Sequence, residues 1–316
     1  MYTLNEAYSS VSVRRRYEAW FLRIGLADGS GAWWFRYLLL NPGRSGCSAI
    51  PGQGPVQVWA TWFPNGDKPK TYIQCFPLSS LALSRRGQSP FSLRTGECEI
   101  DETSCRGILN VEGHSITWNL QCRSTFRVTL SNKGWIGFSC TPHSDAAFSG
   151  EITLDGRKFS GDSLGFGVQG HNCGYRHRDF WAWTHAYFPA LGGNASTLEA
   201  LTYNMPLGMI FRKVVLWHEG AQHVFRGFQE ASISPDPMCW RFTCREKEME
   251  LRAEISGSHA SLHRLPYAKT NCSGTFEVLN NSLASAAIRI QRPNGRVEQL
   301  ETPTGAVLEI GGNYPF

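Results

Sequence analysis

The sequence is poor in charged residues, and it contains no long apolar run. Charged residues make up 18% of the 316 residues and hydrophobic residues 41%, which is typical of a folded chain and argues against wholesale disorder. A membrane helix needs roughly 18 consecutive apolar residues. The longest bulky run, residues 33–40, is interrupted by Arg36. We therefore expect no transmembrane segment, while peripheral membrane contact is left open.

Secretory and disulfide motifs are also missing. The arginines at 14–16 follow a polar stretch and no apolar core comes after them, so the N-terminus does not resemble a secretory signal. We expect a cytoplasmic protein. Its ten cysteines include no CxxC pair, and in that compartment we expect them to be reduced thiols that pack as small hydrophobic side chains.

The local motifs of several enzyme classes are absent as well. The chain has no GxSxG, P-loop or HExxH motif, and residues 165–170 match the dinucleotide-binding GxGxxG pattern in letters only, because no helix pattern follows. No cofactor is implied. His171, Cys173, His177 and His185 match no established ligand spacing, so we expect no metal site. The net charge of +5 is spread along the chain, and we expect no nucleic-acid partner.

Aromatic residues and glycines are abundant, and they occur in short strand-like segments. Aromatic residues make up 12% of the chain, and there are 32 glycines. Segments rich in Val, Ile, Phe, Tyr, Trp and Thr recur between turn residues, which predicts many short strands, whereas helical periodicity is nearly absent. The clearest predicted strands cover residues 17–24, 32–40, 56–63, 71–76, 115–121, 125–130, 180–188, 198–204, 213–218 and 286–291.

Turn residues between these segments predict antiparallel hairpins. Five pairs each separate two strand-like runs: Asp28-Gly29, Asn65-Gly66, Asp155-Gly156, Glu219-Gly220 and Asn294-Gly295. Closing each sheet into a barrel is the most complete way to hide its edges. We therefore predict an all-β fold of two consecutive lipocalin-like antiparallel β-barrels. We place the boundary in the loop-rich region 161–178, with residues 190–194 as a second choice. This gives a first barrel over residues 1–175 and a second over residues 176–316.

The most unusual segment is residues 165–188, which combine four glycines, three histidines and a Trp-x-Trp pair. With the period of two that a strand imposes, one face carries large side chains with polar tips, namely Trp181, Trp183, His185 and Tyr187. Such a row can line an internal cavity that holds an apolar ligand and offers it a few directed hydrogen bonds. The alternative is that these side chains simply fill a barrel.

This segment resembles a known family. Residues 171–174 (HNCG), followed nine residues after Asn172 by residues 181–183 (WAW), resemble the N-x-G...W-x-W signature of tocopherol cyclase and the related carotenoid 1,2-hydratases. Residues 17–21 (YEAWF) resemble the start of the first strand in these families. Residues 150–156 (GEITLDG) resemble the segment that precedes the signature in the same families. The resemblance covers most of the first half of the chain. It implies two lipocalin-like barrels in tandem, as in fungal Diels-Alderases and bacterial meroterpenoid cyclases, and an apolar, polyene-like ligand.

The sequence departs from the hydratases at one informative place. The hydratases carry Tyr-His-Asp before the Asn-containing motif, where residues 168–170 of this chain are Val-Gln-Gly. Since that acid is missing, a proton for an alkene must come from another group.

Alkene protonation requires a carboxylic acid that stays neutral near pH 7, which a desolvated Asp or Glu provides. Glu18 is the first candidate, because it lies two residues before Trp20 on the same strand face. Its alternative role is an ion pair with Arg16 or Arg36. Glu199 is another candidate, since it interrupts an otherwise apolar strand.

Two further residues are candidates for catalysis. Asp179 adjoins the Trp pair, although Arg176 and Arg178 beside it favour a surface ion pair. His171 can orient a substrate oxygen or act as an acid or base, since its unperturbed pKa is near 6.5. Its alternative is to brace the glycine-rich turn together with Asn172.

The predicted substrate-binding groups are aromatic and polar side chains around these acids. Aromatic faces stabilise a carbocation by about 1 to 2 kcal/mol per contact in a dry site. The predicted set is Trp20, Trp34, Asn172, Trp181, Trp183, His185 and Tyr187.

Together these features predict a cofactor-independent enzyme that cyclises or isomerises a hydrophobic isoprenoid or polyketide-like molecule. It would act by protonating an alkene or by holding a reactive conformer. Two alternatives stay open: a carrier that binds a lipid or pigment unchanged, and a hydratase of a polyene double bond. A buried carboxylate beside the tryptophans distinguishes them, because protonation needs one and a carrier does not.

Overall fold

The computed structural model describes residues 4–8, 12–84, 90–132, 137–189 and 195–312, and its regular structure is almost all β-strand. The strands are β1 (Tyr17–Leu26), β2 (Gly31–Leu40), β3 (Val56–Pro64), β4 (Lys70–Phe76), β5 (Leu81–Leu83), β6 (Ser92–Thr95), β7 (Cys98–Asp101), β8 (Ser104–Val111), β9 (His114–Arg123), β10 (Val128–Asn132), β11 (Gly137–Leu154), β12 (Arg157–Gly174), β13 (Phe180–Phe188), β14 (Ser196–Asn204), β15 (Ile210–His218), β16 (Ala221–Phe225), β17 (Glu230–Pro235), β18 (Met238–Glu246), β19 (Met249–Ser256), β20 (His263–Ala268), β21 (Thr275–Gln291) and β22 (Val297–Gly312). Short 3-10 turns cover Pro42–Arg44, Leu78–Ser80 and Pro206–Gly208. Within the described ranges, no helix has the length and apolar character needed to cross a membrane.

The strands form two antiparallel sheets, and each sheet curls into a nearly closed barrel. The order in the first barrel is β4-β3-β2-β1-β12-β11-β9-β8-β7-β6-β5, with β10 beside β11. The second barrel repeats this connectivity as β16-β15-β14-β13-β22-β21-β19-β18-β17, with β20 beside β21. Strand β4 comes close to β8 in the first barrel, and β16 comes close to β18 in the second. The predicted fold of two consecutive lipocalin-like barrels is confirmed.

Burial along the strands shows where the two barrels meet. In β9, Ile116, Trp118 and Leu120 are buried in the core of the first barrel, whereas Thr117 is half-buried and Asn119 is exposed. In β2, by contrast, all ten residues are buried. One face of β2 packs inside the first barrel, and Trp34 on the other face joins a hydrophobic cluster that includes Trp183 of the second barrel. Strands buried on both faces therefore mark the contact between the barrels.

The five predicted turn pairs are confirmed, because each connects two paired antiparallel strands. The tightest are two-residue turns. Asp155 and Gly156 have φ angles of 49° and 85°, and Glu219 and Gly220 have φ angles of 49° and 74°. Positive φ at both central residues matches the type I′ turn, whose twist suits the strands that it joins.

The glycine-rich region 161–178 is mostly strand, so the prediction of a loop there is wrong. Strand β12 extends to Gly174, and its glycines allow close contact with β1. A Cβ atom on Gly167 would lie 1.9 Å from the carbonyl oxygen of Arg23. The predicted boundary after residue 175 falls between β12 and β13, and the second choice, residues 190–194, lies outside the described residues. The division into two separate folding units stays a prediction.

A buried arginine of the first barrel inserts into the second. Arg23 in β1 is 1% exposed, and its guanidinium donates hydrogen bonds to the carbonyl oxygens of Ser282, Thr304, Gly305 and Ala306 at 2.6 to 3.3 Å. These acceptors belong to β21 and β22. Several carbonyl dipoles thus replace the water that the cation loses on burial.

A disulfide also joins the barrels, so the prediction of ten reduced thiols is wrong for two of them. Cys47 and Cys272 are bonded across 225 residues, with their Cα atoms 5.3 Å apart. The Asn41 amide donates to both sulfur atoms at 3.3 Å. The sequence missed this bond because spacing does not reveal a pairing between distant loops. Disulfides persist in oxidising compartments, and a cytoplasmic location stays a prediction.

Removing the disulfide is expected to destabilise the protein. Because the bond closes a loop of more than two hundred residues, the chain-entropy relation assigns it about 5 kcal/mol of the free energy of unfolding. Urea unfolding of the Cys47→Ser/Cys272→Ser variant should therefore show a clearly lower midpoint than the parent protein.

The matched control is Cys75→Ser, since Cys75 is an exposed free cysteine. This variant should unfold like the parent. If all ten cysteines of the denatured, unreduced protein react with a thiol reagent, the bond is absent and the expectation is wrong.

Candidate functional site

The candidate site is a cavity of about 120 Å³ between the two barrels. We call it the interbarrel cavity. Its wall is largely aromatic, and its polar groups include three arginines and one glutamate. The lining residues are Tyr17, Phe21, Trp34, Arg36, Ser131, Gly137, Phe138, Ser139, Asn172, Cys173, Gly174, Arg176, His177, Arg178, Trp181, Trp183, Leu201, Tyr203, Tyr267 and Glu309.

Strand alternation explains which side chains reach this cavity. In β13, Phe180 and Ala182 point into the core of the second barrel, so Trp181 and Trp183 point out of it towards the first. In β1, Trp20 points into the core of the first barrel, and its neighbour Phe21 points out to the cavity. The predicted row of large side chains on β13 therefore lies between the barrels, and it neither lines nor fills the interior of one.

The two tryptophans of the W-x-W motif each donate a hydrogen bond to a buried glutamate. The indole of Trp181 donates to Glu309 at 3.0 Å, and the indole of Trp183 donates to Glu199 at 3.1 Å. Glu309 lies in β22 and Glu199 in β14, the two strands that flank β13. The motif therefore positions two carboxyl groups, one on each side of its own strand.

Glu309 lies on the cavity wall and is 9% exposed. Besides Trp181, its carboxyl group receives hydrogen bonds from the Asn280 amide at 3.4 Å and from the Tyr267 hydroxyl. Burial raises the pKa of Glu309, and the hydrogen bond from Trp181 and the charge of Arg36 oppose that shift. The result is a carboxyl group that retains its proton to higher pH than an exposed glutamate.

Glu199 is 1% exposed and does not line the cavity. Its Oε1 accepts hydrogen bonds from Thr141 at 2.5 Å and from Trp183, and its Oε2 has no partner among the described residues. Burial raises the pKa of Glu199 from 4.5 to about 7, against the effect of these two donors. A neutral carboxylic acid is the form that this environment favours.

The titratable rings beside Glu309 are uncharged near neutral pH. Burial, followed by the charge of Arg36, lowers the pKa of His177 to about 3. Burial raises the pKa of Tyr17 and of Tyr267 well above its ordinary value. The cavity therefore presents aromatic faces, neutral hydrogen-bonding groups and one carboxyl group that can carry a proton.

Glu18 and His171 lie inside the first barrel, away from the interbarrel cavity. His171 Nε2 is 3.0 Å from Glu18 Oε1, and both side chains are fully buried. His171 Nδ1 donates to the carbonyl of Leu4 at 2.7 Å, and the Trp20 indole donates to the carbonyl of Asn5 at 2.9 Å. The predicted residues therefore hold an N-terminal segment in place. Arg36, considered above as a partner of Glu18, lines the cavity instead.

The other predicted site residues are divided between the cavity and its surroundings. Trp34 and Asn172 lie on the cavity wall with the two tryptophans of β13. His185 bonds the Ser144 carbonyl of the first barrel at 2.7 Å, and burial lowers its pKa to about 4. Tyr187 stacks on Phe166 with ring centroids 4.9 Å apart, which is also a contact between the barrels.

Asp179 is exposed and does not line the interbarrel cavity. An exposed carboxyl group lacks the desolvation that holds a proton near neutral pH. It is therefore a poorer candidate acid than Glu309 or Glu199.

The four residues considered above for a metal site do not come together. His171 lies inside the first barrel, whereas His177 lies on the cavity wall. In the described part of the chain, one trio of potential ligands does come together, namely His218, Glu219 and Glu298. Its carboxylates already pair with Arg292 and Arg296.

Two residues of the cavity wall, Glu309 and Arg36, were not predicted from the sequence as site residues. Glu309 interrupts the apolar run 306–310, which is the same signal that identified Glu199. Arg36 interrupts the bulky run 33–40, and the sequence suggested for it only an ion pair with Glu18. An ionisable side chain inside an apolar strand is the signal that both residues share.

Comparisons with known proteins show the fold. No protein-family model matches the sequence, and a search of curated proteins returned no significant match. Among solved structures, CghA with Sch210972 superposes with a TM-score of 0.60 at 10% sequence identity, over 95% of this chain and 89% of that chain. Kievitone hydratase from Nectria haematococca superposes with a TM-score of 0.58 at 12% identity, over 99% of this chain and 93% of that chain. The tandem-barrel fold that the family resemblance implies is therefore confirmed.

The raised pKa of Glu199 predicts a pH-dependent stability. A group whose pKa is higher in the folded state stabilises the fold below its unfolded pKa, and this contribution is lost as pH rises through the folded value. For Glu199 the loss runs from about pH 4.5 to above pH 7. The free energy of unfolding of the parent should therefore fall between pH 5 and pH 8. Over the same range, the Glu199→Gln variant should lose about 2 kcal/mol less than the parent loses.

The measurement is urea unfolding of both proteins at the two pH values. Glu277→Gln is the matched control, because Glu277 is exposed and paired with Arg264. It should follow the parent protein at both pH values. A parallel pH dependence in the parent and the Glu199→Gln variant would show that Glu199 titrates normally.

Proposed function

We propose that this protein is a cofactor-independent cyclase or isomerase that acts on an apolar isoprenoid or polyketide-like molecule in the interbarrel cavity. The observation that carries this proposal is the buried carboxyl group of Glu309, on an aromatic wall and with a raised pKa. Perturbed carboxyl groups in clefts are candidates for catalysis. Glu309 replaces Glu18 as the proposed acid, because Glu18 lies outside this cavity.

The proposed first step is transfer of the Glu309 proton to one carbon of an alkene. The new C–H bond forms with the electron pair of the double bond, and the adjacent carbon becomes a cation. Trp34, Trp181 and Trp183 lie on the same wall and offer aromatic faces to that charge. The donors on Glu309, including Trp181, stabilise the carboxylate that the transfer leaves behind.

The second step decides the type of product. A hydroxyl group of the substrate can attack the cation and close a ring, and its proton then returns to the Glu309 carboxylate. Loss of a neighbouring proton instead gives an isomerised alkene, and attack by water gives a hydrated product. Hydration is thus an alternative outcome of the same proton transfer, and one structural neighbour is named a hydratase.

Catalysis by conformer control is a further possibility for the same cavity. A pericyclic reaction requires a fixed substrate conformation and a hydrogen bond, without net proton transfer. A carrier requires neither step. A desolvated acid on the cavity wall has an unfavourable free energy of burial, so its presence favours an enzyme over a carrier.

Replacing Glu309 with Gln is expected to abolish proton transfer while leaving the shape of the cavity largely intact. General acid catalysis contributes about 10² to 10⁴ in rate, so turnover should fall by at least about 100-fold. The assay incubates the protein in D₂O with a panel of prenylated phenols and polyenes and follows the products by mass spectrometry. A protonating cyclase or isomerase gives an isomer with one carbon-bound deuterium.

The other outcomes separate the alternatives. Hydration adds one carbon-bound deuterium and a hydroxyl group, and a pericyclic product contains no deuterium. Glu254→Gln is the control, since Glu254 forms a surface ion pair with Arg241. Bound but unchanged compounds throughout the panel, or full turnover by the Glu309→Gln variant, would refute the proposed acid catalysis.

A further inference from the structure

The outer side of the interbarrel cavity is strongly cationic. A second cavity of about 270 Å³ adjoins the first, and the two share Arg176, His177 and Arg178. We call this second cavity the vestibule. Arg15 and Lys269 also line it, and its lining contains one acidic side chain, the exposed Asp179.

The described residues place no acid within ion-pair distance of the vestibule cations. Across the part of the chain that the structure describes, the ion pairs of arginine and lysine involve none of Arg15, Arg176, Arg178 and Lys269. Arg15 and Arg178 lie over the rings of Tyr175 and Tyr203, each with its guanidinium carbon 4.8 Å from the ring centroid. An approaching anion would therefore meet a positive potential.

Arg36 extends this positive charge into the interbarrel cavity. Its side chain lines the cavity, the residue is 5% exposed, and its Nη1 has no hydrogen-bond partner among the described residues. The guanidinium carbon lies 4.1 Å from the ring centroid of Tyr267 and 5.1 Å from that of Trp59. Aromatic faces offset part of the lost hydration, yet they do not satisfy a guanidinium N–H.

Among the described residues, Arg36 forms no ion pair with a carboxylate. Among the described residues of the cavity lining, Glu309 is the one acidic residue, and its donors are Trp181, Asn280 and Tyr267. Burial raises the pKa of Glu309, and the charge of Arg36 opposes that shift. A buried cation with an unsatisfied donor is costly unless a negative group pairs with it, so the missing partner is best supplied by a ligand.

We propose that the ligand of the interbarrel cavity is an apolar molecule that carries one carboxylate, and that this carboxylate binds Arg36. This inference rests on the proposed function and adds the charge and polarity of the substrate. The aromatic wall would hold the apolar part, and the vestibule would attract the anion as it enters. Arg36 is a binding residue in this arrangement, since it touches the substrate away from the reacting alkene.

Such a ligand would also affect the proposed acid. The positive charge of Arg36 lowers the pKa of Glu309. A carboxylate bound to Arg36 would cancel much of that charge, so Glu309 would hold its proton more firmly in the complex than in the free protein. Binding of the substrate would thus prepare the acid for proton transfer.

The test compares two fluorescent probes that differ in one charged group. 1-Anilinonaphthalene-8-sulfonate has an apolar ring system with one sulfonate group, and N-phenyl-1-naphthylamine is the same ring system without the sulfonate. The parent protein should bind the anionic probe at least tenfold more tightly. A hydrogen bond to a charged group corresponds to about 10- to 100-fold in affinity, so Arg36→Gln should lose about that much for the anionic probe and less than twofold for the neutral one.

Three controls locate the effect in the cavity. Arg241→Gln removes an arginine from a surface ion pair and should leave both affinities unchanged. Leu201→Trp adds bulk to the cavity wall and should weaken both probes. Arg36→Lys should restore part of the preference for the anion. Circular dichroism and thermal unfolding of each variant verify that it is folded.

A final comparison replaces the sulfonate with the carboxylate that we propose. Octanoate should displace the anionic probe from the parent protein more effectively than octanol, and this difference should disappear in Arg36→Gln. The charge inference is refuted if the neutral probe binds but the parent protein prefers neither the sulfonate probe over the neutral probe nor octanoate over octanol. The apolar cavity of the proposed function would still stand. If neither probe binds, or if Leu201→Trp has no effect on binding, the proposed function and the inference fail together.

Discussion

The buried guanidinium of Arg23 holds the first barrel against the second. Its guanidinium leaves the first barrel and is surrounded by main-chain carbonyl oxygens of β21 and β22, which are fixed by their own strands. Moving the barrels apart would leave a buried cation without these acceptors. The interbarrel cavity depends on this contact, because each barrel contributes only part of its wall.

The W-x-W motif connects this architecture to chemistry. Trp181 and Trp183 point away from the core of their own barrel, and each bonds a glutamate on a neighbouring strand. Their rings therefore line the interbarrel cavity and also donate hydrogen bonds to two carboxyl groups. Such buried ionisable groups reduce the stability of a fold. Their accumulation at one junction, together with Arg36, distinguishes this region from the barrel cores, where apolar side chains dominate.

The fold could be predicted well from the sequence because its signals are local. Turn pairs such as Asp155-Gly156 determine where a hairpin reverses, and a period of two assigns side chains to faces. The predicted strand 125–130 begins later, at Val128, because Asp145 accepts hydrogen bonds from the backbone of Thr125 and Phe126 and holds a loop there. That contact joins residues about twenty positions apart, which a local pattern does not reveal.

The candidate site was harder to predict. The alternation of side chains along a strand assigns them to two faces, but it does not indicate which part of the protein packs against each face. Glu18 and Trp181 both lie on strands with buried faces, yet one points into a barrel and the other into the junction between barrels. An apolar core and an apolar interface select the same residue types. Placing Glu309 beside Trp181 required the pairing of β13 with β22, which brings together residues more than one hundred positions apart.

The Cys47–Cys272 bond also has a topological consequence. It closes a covalent ring that contains all of β3 to β20. A protease that cuts once within this ring leaves a single covalently connected molecule, since both fragments remain attached through the sulfur atoms. Nicked chains would therefore migrate as one species until a reductant separates them.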